Sequence, residues 1–109
     1  MEVLAGRSNT VYDYVTFTLA AKSDLCFHAK DIPGSHVVLL CRDRRPEKDD
    51  ILEAAALAAY YSKAAASENV PVDYAQVRHV KKPSGARPGM VTYSSQKTVY
   101  TDPKPPNVN

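Results

Sequence analysis

"FHAKDIPGSHVVLL", residues 27–40, decides the fold, because it reads as a strand, a bend and a second strand. Side chains alternate along a strand, so Leu25 and Phe27 are expected on one face and Cys26 and His28 on the other. "DIPG" stops the first strand: Pro33 presets its own φ, and Gly34 is expected to take the positive φ that the third residue of a type II turn requires. "SHVVLL" then predicts a strand of nearly unbroken hydrocarbon. Two histidines, a lysine and an aspartate crowd this bend, which raises three chemistries: a metal site, a catalytic site, or a surface that grips something polar.

Upstream, Tyr14, Val15, Phe17 and Leu19 alternate loosely with Thr16 and Thr18, a pattern that predicts a half-buried strand over residues 13–19. Downstream, "RDRRPEKDD" is a charged loop, and Asp50 with Glu53 has the spacing of a capping box. Residues 51–66 are rich in alanine and free of Gly and Pro, which predicts the principal helix. Its apolar residues cover more than one face, so it is expected either between the sheet and another element or in close approach through its alanines. Tyr60 and Tyr61 are expected to pack in the core. "SENVPVDY" reads as a loop, residues 74–80 as a strand, and "KPSGARPG" as an exposed irregular loop. "MVTYSSQKTVY" predicts a hairpin around residues 94–97. The expected fold is α+β, a mainly antiparallel β-sheet with one principal Ala-rich α-helix packed on it. Residues 1–103 are expected to form the domain, and residues 104–109 a Pro-rich flexible tail that frays.

A chain of 109 residues suffices for one domain that buries roughly two-thirds of its unfolded surface. Its 44% hydrophobic and 24% charged residues are globular values, which excludes a disordered or fibrous class. The absence of a membrane-length apolar run and of a secretory-signal layout makes cytoplasmic residence, away from membranes, the expectation. Cys26 and Cys41 form no CxxC pair and are expected as reduced thiols. Net charge is only +2, yet from Val70 onward six cations (Arg78, Lys81, Lys82, Arg87, Lys97 and Lys104) face two acids (Asp73 and Asp102). Acidic residues gather instead at Glu47, Asp49, Asp50 and Glu53.

Each chemistry can be weighed against these residues. Cys26, His28, His36 and Cys41 supply four possible zinc ligands, but C-x-H followed by H-x4-C is not a standard zinc spacing, and period two points His36 and Cys41 to opposite faces. Ser35 and His36 are adjacent on a strand and point apart, and no G-x-S-x-G elbow exists, so a hydrolase is not supported. Lys30 beside Asp31 reads as a solvated charge pair. Four glycines and no phosphate-loop motif argue against nucleotide chemistry. No enzyme activity, cofactor, metal or small-molecule substrate is therefore expected. Arg78, Lys81, Lys82 and Arg87 could reach phosphates from a strand end and a loop, and Tyr74, Tyr93 and Tyr100 lie in the same basic half, where exposed rings could stack on unpaired bases. A solubilising surface with core tyrosines explains the same composition. The pattern alone leaves both open.

The motifs "FHAKDIPGSHVVLL", "LEAAALAAYYSKA", "VPVDYAQVRHVKKPSGARPGMVTY" and "QKTVYTDP", in this order, resemble the RNA-binding domain of the NFACT family, from Gly6 and Arg7 to Pro103. In that family the domain ends long bacterial ribosome-quality-control factors, also known as fibronectin-binding proteins. The resemblance implies RNA contacts, to tRNA or large-subunit ribosomal RNA, within quality control of stalled nascent chains. On the N-terminal motifs it places Arg7, Asp13, Phe27, His28, Lys30, Asp31, Pro33, Gly34, Ser35 and His36. On the C-terminal motif it places Lys81, Lys82, Pro83, Gly85, Ala86, Pro88 and Gly89. The residues expected to contact RNA are Arg7, His28, Lys30, Ser35, His36, Arg78, Lys81, Lys82 and Arg87. The chain departs from the family at Cys26, where Trp is usual, at Tyr12, where Asn is typical, and at Leu40, where Arg is frequent. The alternative from another class is a protein-interaction module that docks on a ribosomal protein or on other NFACT domains. Adhesion to fibronectin is a third reading, suggested only by the older family name.

Overall fold

The computed structural model describes residues 1–6, 8–42, 44–87 and 90–106. Arg7, Pro88, Gly89 and residues 107–109, all named above, lie outside the described residues. Strands β1 (Glu2–Gly6), β2 (Leu25–Ala29), β3 (His36–Leu40), β4 (Val70–Gln76) and β7 (Lys97–Thr101) form one sheet in the order β1-β3-β2-β4-β7. Every neighbouring pair in it is antiparallel. Short strands β5 (Val80–Lys81) and β6 (Thr92–Tyr93) pair separately. Helix α1 spans Asn9–Tyr14 and α2 spans Lys48–Tyr60. Since β3 and β4 both run antiparallel to the intervening β2, they point the same way, and α2 makes the crossover between them. The α+β architecture expected from the sequence is the one observed. Among the described residues no helix is long and apolar enough to cross a membrane.

The alternation of β2 and β3 divides the interior into two layers. Leu25, Phe27, Ala29, Val37, Leu39 and Cys41 pack with Ala54, Ala55, Ala58 and Ala59 of α2. Cys26, Val38 and Leu40 face the other way, toward Tyr12, Val15, Val77 and Val80. Both faces of these strands are covered, which is why they read as near-continuous hydrocarbon. On α2 the alanines present no bulk, so the helix lies close to the sheet and Phe27 fills the gap.

Several sequence expectations are corrected. Residues 13–19 are helical: α1 runs into a π-helical turn over Val15–Leu19, begun by Ser8, whose Oγ accepts the Val11 N–H at 3.1 Å. Tyr12, Val15 and Thr16 are buried while Val11, Tyr14, Phe17 and Leu19 are exposed, a helical rather than a two-residue period. Helix α2 starts three residues earlier than expected, because its capping box joins Glu47 and Asp50, with the Glu47 N–H donating to Asp50 Oδ2 at 2.9 Å. It ends at Tyr60, where Ser62 Oγ donates to the Ala59 carbonyl. Tyr60 is exposed rather than in the core. "VPVDY" is strand, not loop, and residues 77–79 form a 3-10 turn within the expected strand. The expected hairpin around residues 94–97 does not form: β6 pairs with β5 and β7 with β4. Beyond β7, the Lys104 N–H donates to Ala56 O of α2 at 3.2 Å.

One buried carboxylate ties the connections together. Asp24 is 1% exposed and accepts from the backbone N–H groups of Ala21, Cys41 and Arg42, while its own carbonyl accepts from Val77. The turn before β2, the end of β3 and the end of β4 thus share one residue. Replacing Asp24 by Ala orphans the N–H groups of Ala21, Cys41 and Arg42, at least one of them buried, and is expected to cost about 3 kcal/mol in urea unfolding. A loss below roughly 0.5 kcal/mol would show that the carboxylate is dispensable.

Candidate nucleic-acid interface

Pairing register builds the site. Phe27 pairs with Val37, so the ladder carries His28 opposite His36; His28 in turn pairs with Asp73, Asp73 with Thr98, and His36 with Gly6. The result is one row, Gly6, His36, His28, Asp73, Thr98, across all five strands on the face away from α2. Directly opposed side chains on such a face lie close enough to interact. The His28 and His36 rings have centroids 4.4 Å apart, and Tyr12 stacks on His36 at 3.9 Å with 21° between planes. Gly6 permits this packing, since a Cβ there would lie 2.8 Å from the Tyr12 Cβ. The Thr98 hydroxyl donates to Asp73 Oδ1.

His36 Nδ1 lies 3.0 Å from the Tyr93 hydroxyl, which draws β6 over the row. His28 Nε2 lies 3.2 Å from the Gly34 carbonyl. A carbonyl only accepts, so Nε2 carries the proton, and in the neutral ring Nδ1 is left as an acceptor. His36 is 8% exposed and enclosed by Tyr12, His28 and Tyr93.

Backbone contacts hold the bend that presents these groups. The Lys30 N–H donates to Pro71 O, the Lys63 N–H to Pro33 O and the Ser35 N–H to Tyr61 O. The positive φ expected at Gly34 belongs to Asp31, at 54°. Gly34 is required for another reason: a Cβ would sit 2.7 Å from Ser62 Cα, where the bend crosses the end of α2.

Between bend and row lies a cavity of about 380 Å³ lined by His28, Ala29, Lys30, Asp31, Ile32, Pro33, Asp73 and Tyr93. Lys30 Nζ is 3.7 Å from Asp73 Oδ2, with side chains 44% and 15% exposed. Of the three tyrosines in the basic half, only Tyr93 borders this cavity. Tyr74 stacks on Phe27 on the α2 side at 5.2 Å, and Tyr100 lines a groove beside α2. Lys82 pairs with Asp13 of α1. Arg78, Lys81 and Arg87 are exposed, and among the described residues they carry no ion pair. Arg78 sits on the 3-10 turn and Lys81 on β5, the elements whose Val77 and Val80 pack on the histidine side, and Arg87 sits on the loop after β5.

Cys26 and Cys41 fall into separate layers, so the four ligand candidates noted in the sequence do not converge; among the described residues no group of three or more His, Cys, Asp or Glu is placed to hold a metal ion. Burial pushes the Cys26 thiol up to about 12 and raises Cys41 and the Tyr12 and Tyr93 phenols above their ordinary values. At neutral pH all four are protonated, and neither thiol is a nucleophile. Sequence reasoning missed Tyr12 and Asp73 as parts of the site. An acid amid the β-branched residues of β4 was the available signal for Asp73, whereas Tyr12 was hidden by the strand reading of its neighbourhood.

Burial of these groups sets an alkaline limit. In the unfolded chain a Cys thiol ionises near its ordinary 9.0 and a Tyr near 10.0, while the folded groups keep their protons, so stability falls as pH rises from 9.0 toward about 12. The urea midpoint is expected to be level from about pH 7 to 8 and to drop above about pH 9, less steeply in Cys26→Ala. Identical slopes in the two proteins would contradict the assignment.

Residues 2–88 match the family described as the NFACT protein RNA binding domain. The chain is 52% identical over 103 residues to the Rqc2 homolog RqcH of Bacillus subtilis and 47% identical over 102 residues to that of Streptococcus suis. These alignments cover 94% and 93% of this chain but 18% of each relative. In fold it is similar to the solved C-terminal part of the fibronectin/fibrinogen-binding protein from Streptococcus suis. That match has a TM-score of 0.88 and 46% identity, and covers 94% of this chain and 41% of the other.

Proposed function

The chain belongs to the family of NFACT RNA-binding domains, and from that premise we propose that it binds tRNA or large-subunit ribosomal RNA in quality control of stalled nascent chains. The observation that carries the proposal is the sorting of charge between the two sides of the sheet. Arg78 and Lys81, which carry no ion pair among the described residues, lie on elements whose Val77 and Val80 pack in the layer of the histidine row, and Arg87 follows on the next loop. Acidic Asp49, Asp50 and Glu53 lie on α2, across the sheet. A polyanion is attracted to the first side and repelled by the second.

Within this proposal Arg78, Lys81 and Arg87 contact phosphates, joined by Arg7. Lys82 contributes less, because Asp13 shares its charge. His28 offers Nδ1 to a ribose hydroxyl, and Ser35 lies beside it on the bend. His36 holds His28 and Tyr93 in place and, being buried, contacts RNA only through them. The domain positions RNA and performs no covalent chemistry, and its setting is the cytoplasm.

A second reading rests on the opposite side. A groove of about 960 Å³ between α2 and β7 is lined by Leu52, Leu57, Tyr100, Asp49, Glu53 and Asp102, with Tyr100 62% exposed. The chain spans about a fifth of the length of its curated relatives, and such a groove suits a segment of another domain or a ribosomal protein. The two readings use different surfaces and separate experimentally.

If about four phosphates are neutralised, affinity for labelled tRNA should fall roughly 50-fold between 50 and 200 mM salt, from a slope near −0.7 per contact. The double substitution Lys81→Glu, Arg87→Glu should abolish binding and leave the urea midpoint unchanged. Binding that ignores both salt and charge reversal would exclude the proposed interface.

A further inference from the structure

The polar groups of the cavity are unsuited to a phosphate. Asp73 lines it, and its carboxylate is acceptor-only when ionised, so an anion placed there meets repulsion at short range. Lys30 does not cancel that charge by direct bonding, since 3.7 Å is an ion-pair distance but too long for a hydrogen bond. Asp73 Oδ2 therefore keeps lone pairs, and Lys30 Nζ keeps its donors, side by side. Asp73 Oδ1 is fixed by the Thr98 hydroxyl, which orients the carboxylate. Around this pair the walls are Ala29, Ile32 and Pro33, with Asp31 adding a second carboxylate and His28 and Tyr93 supplying rings. A mainly apolar cleft with a few convergent polar groups is the form of a small-ligand pocket, and about 380 Å³ falls at the small end of the usual range, roughly 300–1,000 Å³.

We propose that this cavity takes one unpaired guanine base, read by Asp73 and Lys30. The inference rests on the RNA reading above and names what the cavity adds to it. The Watson–Crick edge of guanine carries two adjacent donors, N1–H and N2–H, followed by an acceptor, O6. The donors match the two-oxygen carboxylate of Asp73, and the acceptor matches the ammonium of Lys30 beside it. Adenine and cytosine each present one amino group followed by acceptors, and uracil places its single N–H between two carbonyls. None of these offers two neighbouring donors to a carboxylate. Reading this edge demands that it be unpaired, so the target lies in a loop, bulge or strand end, where bases can also pack on rings such as those of His28 and Tyr93. The phosphates of the same strand are left to Lys81, Arg87 and Arg78. Backbone contact and base readout thus fall to different residues.

The test uses fluorescent hexameric RNAs: a uridine run, and the same run with one central guanosine, inosine or adenosine. Guanosine should tighten binding roughly tenfold over the uridine run, the discrimination expected of one good bidentate contact. Inosine, which lacks the N2 amino group, should recover only part of that gain, and adenosine none. In Asp73→Asn the guanosine-to-uridine ratio should fall to near one. In the unsubstituted protein, guanosine monophosphate should shift the His28 and Tyr93 ring resonances and uridine monophosphate should not. Equal affinity for all four hexamers overturns the guanine assignment and leaves the RNA reading intact. No binding to any hexamer, and none to tRNA, overturns both.

Discussion

Pairing Phe27 with Val37 obliges His28 to meet His36, and the remaining layers follow from that register. A slip of one residue between β2 and β3 would turn every side chain of one strand to the opposite face. If β3 were the strand that turned, Val37 and Leu39 would lose the alanine face of α2, and His36 would be pressed against it. Hydrocarbon on the α2 side therefore specifies where the imidazoles stand. Burial of these side chains is worth roughly 1.5–3 kcal/mol each, against about 0.5–1.5 for a stacked ring pair, so packing sets the register and the polar row inherits it.

What packing sets on one side, short contacts preserve on the other. Tyr12 can stack on His36 because Gly6 has no side chain, and the bend can cross α2 because Gly34 has none. The Lys30–Asp73 pair adds little to stability, since partly exposed ion pairs contribute about 0–1 kcal/mol. It is thus free to exchange its partner for a ligand at small cost. His36, by contrast, is committed to the interior, where it contacts Tyr93 and His28.

The parts of the fold legible in the sequence were those with a local cause. Leu25, Phe27, the Pro-Gly bend and "HVVLL" gave β2 and β3, and the alanine run gave α2, because period and composition act over a few residues. Residues 13–19 misled because Thr16, Thr18 and the aromatics mimic a strand, while the decisive signal, Ser8 capping the Val11 N–H, lay upstream. Pro71 suggested a loop. In the structure its carbonyl faces Lys30, one step past the last β2 pair at Ala29 and Val72, so its missing N–H breaks no rung. The hairpin at residues 94–97 failed because His79 accepts the Ser94 N–H and Ser95 takes a positive φ of 54°, which separates β6 from β7. In the site, the bend and the basic loop could be read directly. The convergence of Asp73, Thr98, Tyr93 and Tyr12 on the histidines could not, because it joins segments 16 to 70 residues from His36 or His28 through sheet pairing and packing alone.

The central claim is that the histidine-row side of the sheet faces RNA while the α2 side does not. A chemical-shift map of the isotope-labelled chain titrated with tRNA tests it in a single experiment. The account predicts shifts at His28 to Ser35, at Arg78 to Arg87 and at Tyr93, with Leu52, Leu57 and Tyr100 unmoved. Shifts concentrated on the α2–β7 groove, with the histidine row silent, would contradict it.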